Sequence, residues 1–369
     1  MGDFSFMLPT DMCELTPAYL TTVLRHGGHL SEGEVSSVDA RPLGAGVGFV
    51  GQLARLTLEY DGDRGALPDV MIAKFPIDDP MAKYLAQMFG FYRTEAACYT
   101  QAKTVGLGVP TPIVYLSVVS DDDIGTLILM EDLGSARMAD QVIGASLEDA
   151  QAVIDVGARL HAAWWESPEL TRLPWLRPLN NAAYMSVGEQ YEKSWPAFAA
   201  MFADAPSAAL DIGAQLGAQL PLAYDWLIAN RPTTLTHTDF RLDNFFFDRP
   251  EVPVTIIDWQ LSVRSIGVFD IGYFIVQSLT TEMRREHGES LLRRWHDALL
   301  EAGVVDYTWD DALADFHDSV MLQMSIPVIA AANLDPANER GRQLLDCIGH
   351  RSCQALADYG CAGLRTGSP

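Results

Sequence analysis

Three oxygen-bearing side chains in the second half of the chain have the types and spacing that metal-assisted phosphoryl transfer requires. Residues 237–244 read HTDFRLDN and place Asp239 five positions before Asn244. Thirteen residues then separate Asn244 from Asp258, which lies in the apolar run 254–259, VTIIDW. One carboxylate can orient and deprotonate an attacking hydroxyl, while a second carboxylate and an amide oxygen can hold Mg²⁺, which prefers oxygen ligands. The pattern predicts Asp239 as the catalytic base and Asn244 and Asp258 as metal ligands, the alternative being an Asp-rich β-turn followed by an ordinary strand end.

The same segments resemble the catalytic and metal-binding loops of the kinase-like small-molecule phosphotransferases, a group that includes aminoglycoside phosphotransferases, choline kinases and ecdysteroid kinase-like proteins. Residues 258–260 read DWQ where protein kinases have DFG, and residues 269–274, FDIGYF, match the group's following helix. Thr238 is a departure, since the group usually has glycine there. The resemblance extends over residues 40–325. It implies transfer of the γ-phosphoryl group of ATP, with Mg²⁺, to a hydroxyl of a small molecule such as an aminoglycoside, choline or a steroid, with GTP left open as the donor.

The resemblance also implies a nucleotide-binding part upstream of these loops. The segment 44–51, GAGVGFVG, is a glycine-rich turn in which Gly46 and Gly48 would let the backbone approach phosphates; a plain turn is the alternative. Lys74, in the apolar strand pattern VMIAK, resembles the kinase lysine that contacts the α- and β-phosphates. Glu95 follows 21 residues later on the next predicted helix and is its expected partner. A solvated strand-end lysine and a surface glutamate are the alternatives.

A hinge is expected where this first part ends. Residues 127–133, LILMEDL, resemble the group's hinge, where adenine would bind backbone groups near Glu131 and Leu133. A buried strand that ends in solvated acids is equally compatible with the pattern.

The elements that must position these residues follow from hydrophobic periodicity, which is strand-like before residue 130 and mainly helical after residue 134. This periodicity predicts an α+β fold with a small sheet-containing lobe and a larger helical lobe, and the resemblance implies that it is a bilobal protein-kinase-like fold. Its expected parts are an N-terminal nucleotide-binding lobe at 1–130, a hinge at 131–134, and a helical C-terminal lobe at 135–369 with the catalytic loops and the acceptor site. The predicted strands are 52–60, 70–75, 116–119 and 126–130; the predicted helices are one within 10–30, one at 83–105 and one at 146–165, with mainly helical regions at 184–230 and 284–360 around a β-rich segment at 233–261.

Composition excludes several classes of partner. The 369 residues include 49 acids and 25 bases, a formal net charge of −24, whereas nucleic acids and anionic membranes select for excess Lys and Arg. The five cysteines contain no C-x-x-C pair, which argues against a disulfide framework or a zinc site. No signal segment and no apolar run of membrane-spanning length is present, so a soluble, cytoplasmic protein is predicted.

Acids cluster between Asp297 and Asp318, which favours a neutral or cationic acceptor unless they form only a solvated face. The oligomeric state stays open.

Other residues of these segments have expected roles that are mainly structural. His161 is expected to pack in the core, His237 to hold the catalytic loop by hydrogen bonds, and Asp270 to brace the backbone of that loop. Arg241 is a candidate for neutralising transferred charge. Four aromatic residues are candidates for the acceptor pocket, although core packing is the commoner role at such spacing: Trp175, Tyr184, Tyr191 and Trp195.

Two other functions compete with this interpretation. The first is a non-catalytic nucleotide-binding module, which a missing Lys, Asp or Asn would have favoured; all three are present. The second is a protein kinase. The DWQ sequence at 258–260 and the lack of a recognisable activation segment ending in Ala-Pro-Glu argue against it.

Overall fold

The chain divides into two units, each described here by itself. The computed structural model describes residues 6–43, 51–250, 252–335, 337–359 and 363–367. The first unit contains the chain up to Ala136 together with the short segment Ile257–Gln260. The second contains Arg137–Ile256 and the chain from Leu261 onward.

The first unit is built on an antiparallel sheet with the strand order β1-β2-β3-β5-β4. Its strands are β1 (Glu34–Leu43), β2 (Gly51–Asp61), β3 (Val70–Pro76), β4 (Val114–Val119) and β5 (Thr126–Glu131). The central strand β3 is buried along almost its whole length, which explains its apolar composition. Lys74 of β3 lies opposite Leu53 of β2 and Ile128 of β5. The four predicted strands of this sheet are confirmed.

Three helices accompany the sheet: α1 (Pro17–His26), α2 (Pro80–Phe89) and α3 (Phe91–Thr104). The first lies within the predicted range 10–30 and begins after Thr16, whose side chain accepts from the Tyr19 N–H. The single helix predicted at 83–105 is wrong, because Gly90 ends α2 and starts α3 with a φ of 66°. Glycine adopts this left-handed conformation without strain, and one glycine inside a periodic pattern does not reveal the break. Helix α3 packs against β4 and carries Glu95.

Short strands in the second unit carry the catalytic loop. Most of them lie within or directly after the β-rich segment predicted at 233–261, and one comes from residues 137–138. They are β6 (Arg137–Met138), β7 (Thr234–Thr236), β8 (Phe245–Arg249), β9 (Val252–Ile256) and β10 (Val263–Ser265). Strands β8 and β9 form an antiparallel hairpin in which Phe245 pairs with Ile256, and β6 adds to the other side of β8. Strand β7 pairs with β10. The loop from β7 to β8 contains Asp239 and Asn244.

The rest of the second unit is helical, as predicted. Its helices are α4 (Leu147–Trp164), α5 (Ala182–Met185), α6 (Val187–Met201), α7 (Ser207–Asn230), α8 (Val268–Tyr273), α9 (Thr281–Glu301), α10 (Trp309–Leu322), α11 (Ser325–Asn333) and α12 (Glu339–Asp358). A π-helical turn, Phe274–Ser278, directly follows α8. Helix α4 begins after Ser146, which accepts from the Asp149 N–H.

Two further observations concern the described residues of both units. In the described part of the chain, no helix is both long enough and apolar enough to cross a membrane. The described cysteines Cys13, Cys98, Cys347 and Cys353 form no disulfide bond with one another.

Candidate active site

Lys74 lies at the centre of a buried ion-pair cluster in the first unit. Its ammonium donates to Glu95 at 2.8 Å and to Asp258 Oδ1 at 2.9 Å. The side chain of Lys74 is 11% exposed and that of Glu95 only 2%. Strand β3 supplies the lysine and helix α3 the glutamate, so the ion pair that the resemblance implies is present.

Burial and charge act in opposite directions on this cluster. Burial alone would lower the pKa of Lys74, but the carboxylates of Asp258 and Glu95 raise the pKa above its usual value. The pKa of Glu95 is raised to about 7, because burial raises this pKa by more than the ammonium of Lys74 lowers it. Lys74 therefore keeps its positive charge at neutral pH and can serve as a fixed cation.

Asp258 is presented to Lys74 by an unusual backbone conformation. It stands two residues after β9, with a φ of 66°, and the one-turn 3₁₀-helix Trp259–Leu261 follows it. Left-handed backbone is uncommon outside glycine, and aspartate is one of the few residues that tolerate it. The fully buried ring of Trp259 anchors the turn beside it.

The loop between β7 and β8 brings Asp239 and Asn244 into direct contact in the second unit. The Asn244 side-chain nitrogen donates to the Asp239 backbone oxygen at 2.8 Å and to Asp239 Oδ2 at 2.9 Å. Arg241 Nε lies 3.4 Å from the same Oδ2, and Arg241 Nη1 donates to Asp243 Oδ2 at 2.9 Å. The loop ends in a single 3₁₀ turn, Leu242–Asn244, whose geometry allows the amide to reach back to the carboxylate. The two residues that the motif predicts as base and metal ligand are thus neighbours.

A fully buried chain of hydrogen bonds braces the start of this loop. The Asp270 carboxylate accepts from the His237 N–H at 2.7 Å and from the Thr238 N–H at 2.8 Å. His161 Nε2 lies 3.2 Å from Asp270 Oδ2, and Trp295 Nε1 donates to His161 Nδ1 at 3.0 Å. Because an indole N–H can only donate, Nδ1 of His161 is the acceptor and Nε2 carries the hydrogen that bonds Asp270. The bracing role expected of Asp270 and the core position expected of His161 are confirmed.

The departure from glycine at Thr238 coincides with a left-handed backbone. Thr238 has a φ of 68° and is buried, with its hydroxyl 3.2 Å from the hydroxyl of Thr236. Glycine adopts this conformation freely, whereas a β-branched residue is strained in it. The loop therefore holds Thr238 in a strained state next to Asp239.

Gln141 is a residue of this site that sequence reasoning missed. Its Oε1 accepts from the Leu242 N–H at 2.8 Å and from Ser278 Oγ at 3.1 Å, and its Nε2 donates to the Gln277 backbone oxygen at 2.9 Å. Arg351 Nη1 donates to the Gln141 backbone oxygen at 2.7 Å. The side chain is fully buried and supports the catalytic loop from behind. A lone glutamine in a segment without periodicity gives no sequence signal for such a role.

The predicted nucleotide contacts outside Lys74 are only partly described. Gly46 and Gly48 lie outside the described residues. Glu131 ends β5, donates its N–H to the Ile113 backbone oxygen at 2.8 Å and accepts from the Ile113 N–H through Oε2 at 3.1 Å. Its side chain therefore fastens the chain segment before β4, and Leu133 is buried just beyond it.

Two of the aromatic acceptor candidates pack against each other, with Tyr191 buried and Trp195 partly buried. The rings of Tyr191 and Trp195 stack at 5.8 Å within α6, and the Tyr191 hydroxyl donates to the Gly213 backbone oxygen at 2.8 Å. Gly213 of α7 leaves the space that the Trp195 ring fills, because a Cβ there would collide with it. Tyr184 is half-buried and donates to the Leu261 backbone oxygen at 3.2 Å.

Three acids of the 297–318 segment form ion pairs with arginines of the second unit. This corrects the expectation that all the acids of this segment could line the acceptor site. Asp315 is fully buried and pairs with Arg231 at 2.8 Å and with Arg365 at 2.5 Å. Asp318 pairs with Arg365 at 2.6 Å, and Asp311 pairs with Arg231 at 2.9 Å. These acids stabilise the packing of α10, so they do not supply an excess of negative charge to a ligand.

The donor atoms of the predicted metal ligands fit Mg²⁺. Asp258 offers a carboxylate, and Asn244 uses its amide nitrogen on Asp239, which leaves its amide oxygen as the ligand atom. Both are hard oxygen donors of the kind that Mg²⁺ takes in small number, together with water and substrate phosphates. Within the described ranges, no group of three or more His, Cys, Asp or Glu side chains could hold a metal ion.

Comparison with known proteins places these motifs in a family context. A model of the ecdysteroid kinase-like family matches residues 45–303 of the chain. No curated protein matches the chain significantly in sequence.

Solved structures share the fold at low sequence identity. An ethanolamine kinase from Plasmodium vivax is 11% identical, with 92% of this chain and 89% of that chain covered and a TM-score of 0.54. A choline kinase from Cryptosporidium parvum is 9% identical, with 94% and 98% covered and a TM-score of 0.51. A candidate aminoglycoside phosphotransferase from Ralstonia eutropha is 17% identical, with 93% and 98% covered and a TM-score of 0.52. The α+β, protein-kinase-like fold predicted from the sequence is confirmed.

Proposed function

Because this chain belongs to the ecdysteroid kinase-like family, we propose that it transfers the γ-phosphoryl group of ATP to a hydroxyl of a small organic molecule. The observation that carries the proposal is the carboxylate of Asp239, held by Asn244 in a loop that Asp270 and Gln141 brace. A base needs such fixed orientation, because positioning supplies most of the catalysis in phosphoryl transfer.

Asp239 is proposed as the base that receives the proton of the acceptor hydroxyl. As the acceptor oxygen forms its bond to the γ-phosphorus, the bond from that phosphorus to the bridging oxygen of the β-phosphate breaks. The electron pair of the broken bond leaves with ADP, and the hydroxyl proton passes to the carboxylate of Asp239. Arg241, 3.4 Å from Asp239 Oδ2, limits the reorientation of that carboxylate and places a positive charge in the loop.

The first unit is proposed to hold the nucleotide. Lys74 would donate to the α- and β-phosphates, and its buried pair with Glu95 fixes the ammonium for that contact. Asp258 and Asn244 are proposed to hold Mg²⁺, which when bound neutralises charge on the phosphate oxygens. Asp258 also bonds Lys74 at 2.9 Å, so the two charges are already arranged together.

The remaining nucleotide contacts are assigned to backbone groups. Gly46 and Gly48 are proposed to approach the phosphates, and the backbone near Glu131 and Leu133 is proposed to bind adenine. The acceptor class is proposed from the known kinases of similar fold, whose names include choline and ethanolamine, so a neutral or cationic hydroxyl compound is the first choice. The reaction is assigned to the cytoplasm, where ATP and Mg²⁺ are available.

The test is ADP release across a panel of hydroxyl-bearing compounds: amino alcohols, aminoglycosides, sugars and sterols. Asp239→Asn is expected to lower turnover on any active acceptor by about 10²- to 10⁴-fold, the usual contribution of a general base. Asp248→Asn is the matched control, because Asp248 is exposed near the end of β8 and asparagine also tolerates its left-handed backbone. It should remain within two-fold of the wild type.

Three results would overturn the proposal. The first is wild-type protein that binds ATP without releasing ADP on any acceptor, which would identify the non-catalytic alternative. The second is Asp239→Asn that turns over as fast as Asp248→Asn. The third is phosphorylation of a peptide library with no small acceptor active, which would identify a protein kinase instead.

A further inference from the structure

The two oxygens of the Asp239 carboxylate have different partners. Oδ2 faces nitrogen donors, with Asn244 Nδ2 at 2.9 Å and Arg241 Nε at 3.4 Å. Among the residues that the structure describes, Oδ1 accepts one hydrogen bond, from the hydroxyl of Tyr273 at 3.1 Å. A carboxylate oxygen can accept two hydrogen bonds, so the arrangement leaves Oδ1 with capacity for an acceptor hydroxyl.

We propose that Tyr273 is a positioning residue that fixes Asp239 with Oδ1 as the oxygen that receives the acceptor proton. This inference rests on the proposed function. Tyr273 does not touch the reacting atoms in this scheme; it acts by restricting the rotation of Asp239, whose Oδ2 is held from the other side.

Helix α8 gives Tyr273 the rigidity that such a role requires. All six residues of α8 are buried, and Tyr273 is its last residue, 3% exposed. Near its start the same helix carries Asp270, which holds the His237 and Thr238 N–H groups. One short helix therefore fastens both the backbone of the catalytic loop and the carboxylate that the loop carries.

Close packing fixes α8 in turn. Gly272, next to Tyr273, lies so near Ser319 of α10 that a Cβ on it would collide with the Ser319 hydroxyl. Ser319 Oγ and Gln323 Nε2 both donate to the Phe269 backbone oxygen, at 3.3 Å and 3.1 Å. The position of the Tyr273 hydroxyl is thus set by the interior of the second unit.

The direction of the hydrogen bond is also defined. Burial raises the pKa of Tyr273 well above the usual value for tyrosine, and the Asp239 carboxylate raises this pKa further. The phenol therefore stays protonated and donates to Oδ1.

The test compares Tyr273→Phe with Tyr307→Phe in steady-state kinetics. Tyr307 is an equally buried tyrosine, 3% exposed, whose hydroxyl donates to Asp315 at 2.9 Å away from the catalytic loop. Tyr273→Phe is expected to lower kcat by about 10- to 100-fold, because small misplacements of a catalytic group have effects of this size. The KM for ATP and the affinity for ATP by titration should stay within two-fold. Tyr307→Phe should lose comparable thermal stability while keeping the wild-type kcat.

A double-mutant cycle with Asp239→Asn shows whether the effect passes through Asp239. If Tyr273 acts by positioning Asp239, Tyr273→Phe should change kcat by less than two-fold in the Asp239→Asn background. Each of three results would overturn the inference while leaving the proposed function in place. They are an unchanged kcat in Tyr273→Phe, an equal loss of kcat in Tyr307→Phe, and a full loss of kcat when Tyr273→Phe is added to Asp239→Asn. Wild-type protein inactive on every acceptor would instead overturn the proposed function, and the inference with it.

Discussion

At the scale of single residues, Lys74 shows how one side chain depends on charges from distant parts of the sequence. Its ion-pair partner Glu95 is buried, and its second partner, Asp258, lies 184 residues beyond Lys74 in the chain. Removing one member of a buried ion pair leaves an uncompensated charge in the interior, which is strongly destabilising.

Lys74→Ala is accordingly expected to lower the free energy of unfolding by about 3–5 kcal/mol, the range for a broken buried pair. Lys83→Ala is the matched control, since Lys83 pairs with Asp78, whose side chain is 76% exposed. It should change stability by less than about 1 kcal/mol, as surface pairs do. Urea denaturation measures both. Equal effects of the two substitutions would mean that the Lys74 cluster is open to water.

Thr238 offers a second prediction at this scale. Thr238→Gly removes a buried side chain but also relieves left-handed strain of about 1–2 kcal/mol, so we expect a small net change in stability. Thr234→Gly, in regular strand β7, gains no such relief and loses a 2.8 Å hydrogen bond to the His161 backbone oxygen. Thr238→Gly should therefore cost at least about 1 kcal/mol less than Thr234→Gly in thermal unfolding. The reverse order would show that Thr238 is not strained.

The sequence predicted the residues whose identity is tied to a motif spacing. Asp239 and Asn244, which the motif places in one loop, and Lys74 and Glu95, which the resemblance pairs, are of this kind. Gln141 and the hydrogen bond of Tyr273 to Asp239 were not predicted, because their roles depend on which backbone groups tertiary packing brings to them. The catalytic and ligand roles of the motif residues stay predictions until turnover is measured.

At the scale of elements, α8 joins the catalytic loop to the helical core. Asp270 accepts two backbone N–H groups of that loop and pairs with His161, and all of these groups are buried. The FDIGYF motif predicted the helix, whereas the chain from Asp270 through His161 to Trp295 required residues from three separate helices. The break between α2 and α3 at Gly90 was missed for a local reason, since glycine is tolerated within helical patterns.

Asp270→Asn tests the brace. Asparagine replaces one of the two carboxylate oxygens with an NH2 group, so the N–H of either His237 or Thr238 loses its acceptor, and about 1–3 kcal/mol of stability should be lost. Asp155→Asn, in an exposed pair with Arg294, is the matched control and should change stability by less than about 1 kcal/mol. Hydrogen exchange at residues 237 and 238 should accelerate only in Asp270→Asn. Unchanged protection there would show that the loop is held by other contacts.

At the scale of the whole molecule, charge is the dominant property. The formal net charge is −24, yet the buried Asp315 and Asp318 and the partly exposed Asp311 are paired with arginines of the second unit. An attraction for cations therefore comes from the summed field of the surface rather than from one acid-rich wall. The lobe boundaries expected at residues 130 and 134 stay a prediction.

Ionic strength tests this field. For a cationic acceptor, kcat/KM is expected to fall several-fold as added salt shortens the Debye length from about 30 to about 8 Å, because steering by net charge is screened. A neutral acceptor of similar size, assayed in parallel, should show no trend. A flat response with the cationic acceptor, or a strongly anionic best substrate, would contradict the electrostatic prediction and leave the phosphotransferase proposal standing.

The short segment Ile257–Gln260 limits how this protein can be divided into separately encoded fragments. The first unit takes these four residues from the middle of the second unit's stretch of chain, and one of them is Asp258. A polypeptide that stops at Ala136 would carry Lys74 and Glu95 but leave their third charged partner on the remaining chain. A single breakpoint in the coding sequence therefore cannot release the first unit with its charge cluster whole, and any fusion, circular permutation or split version must carry that tetrapeptide with it.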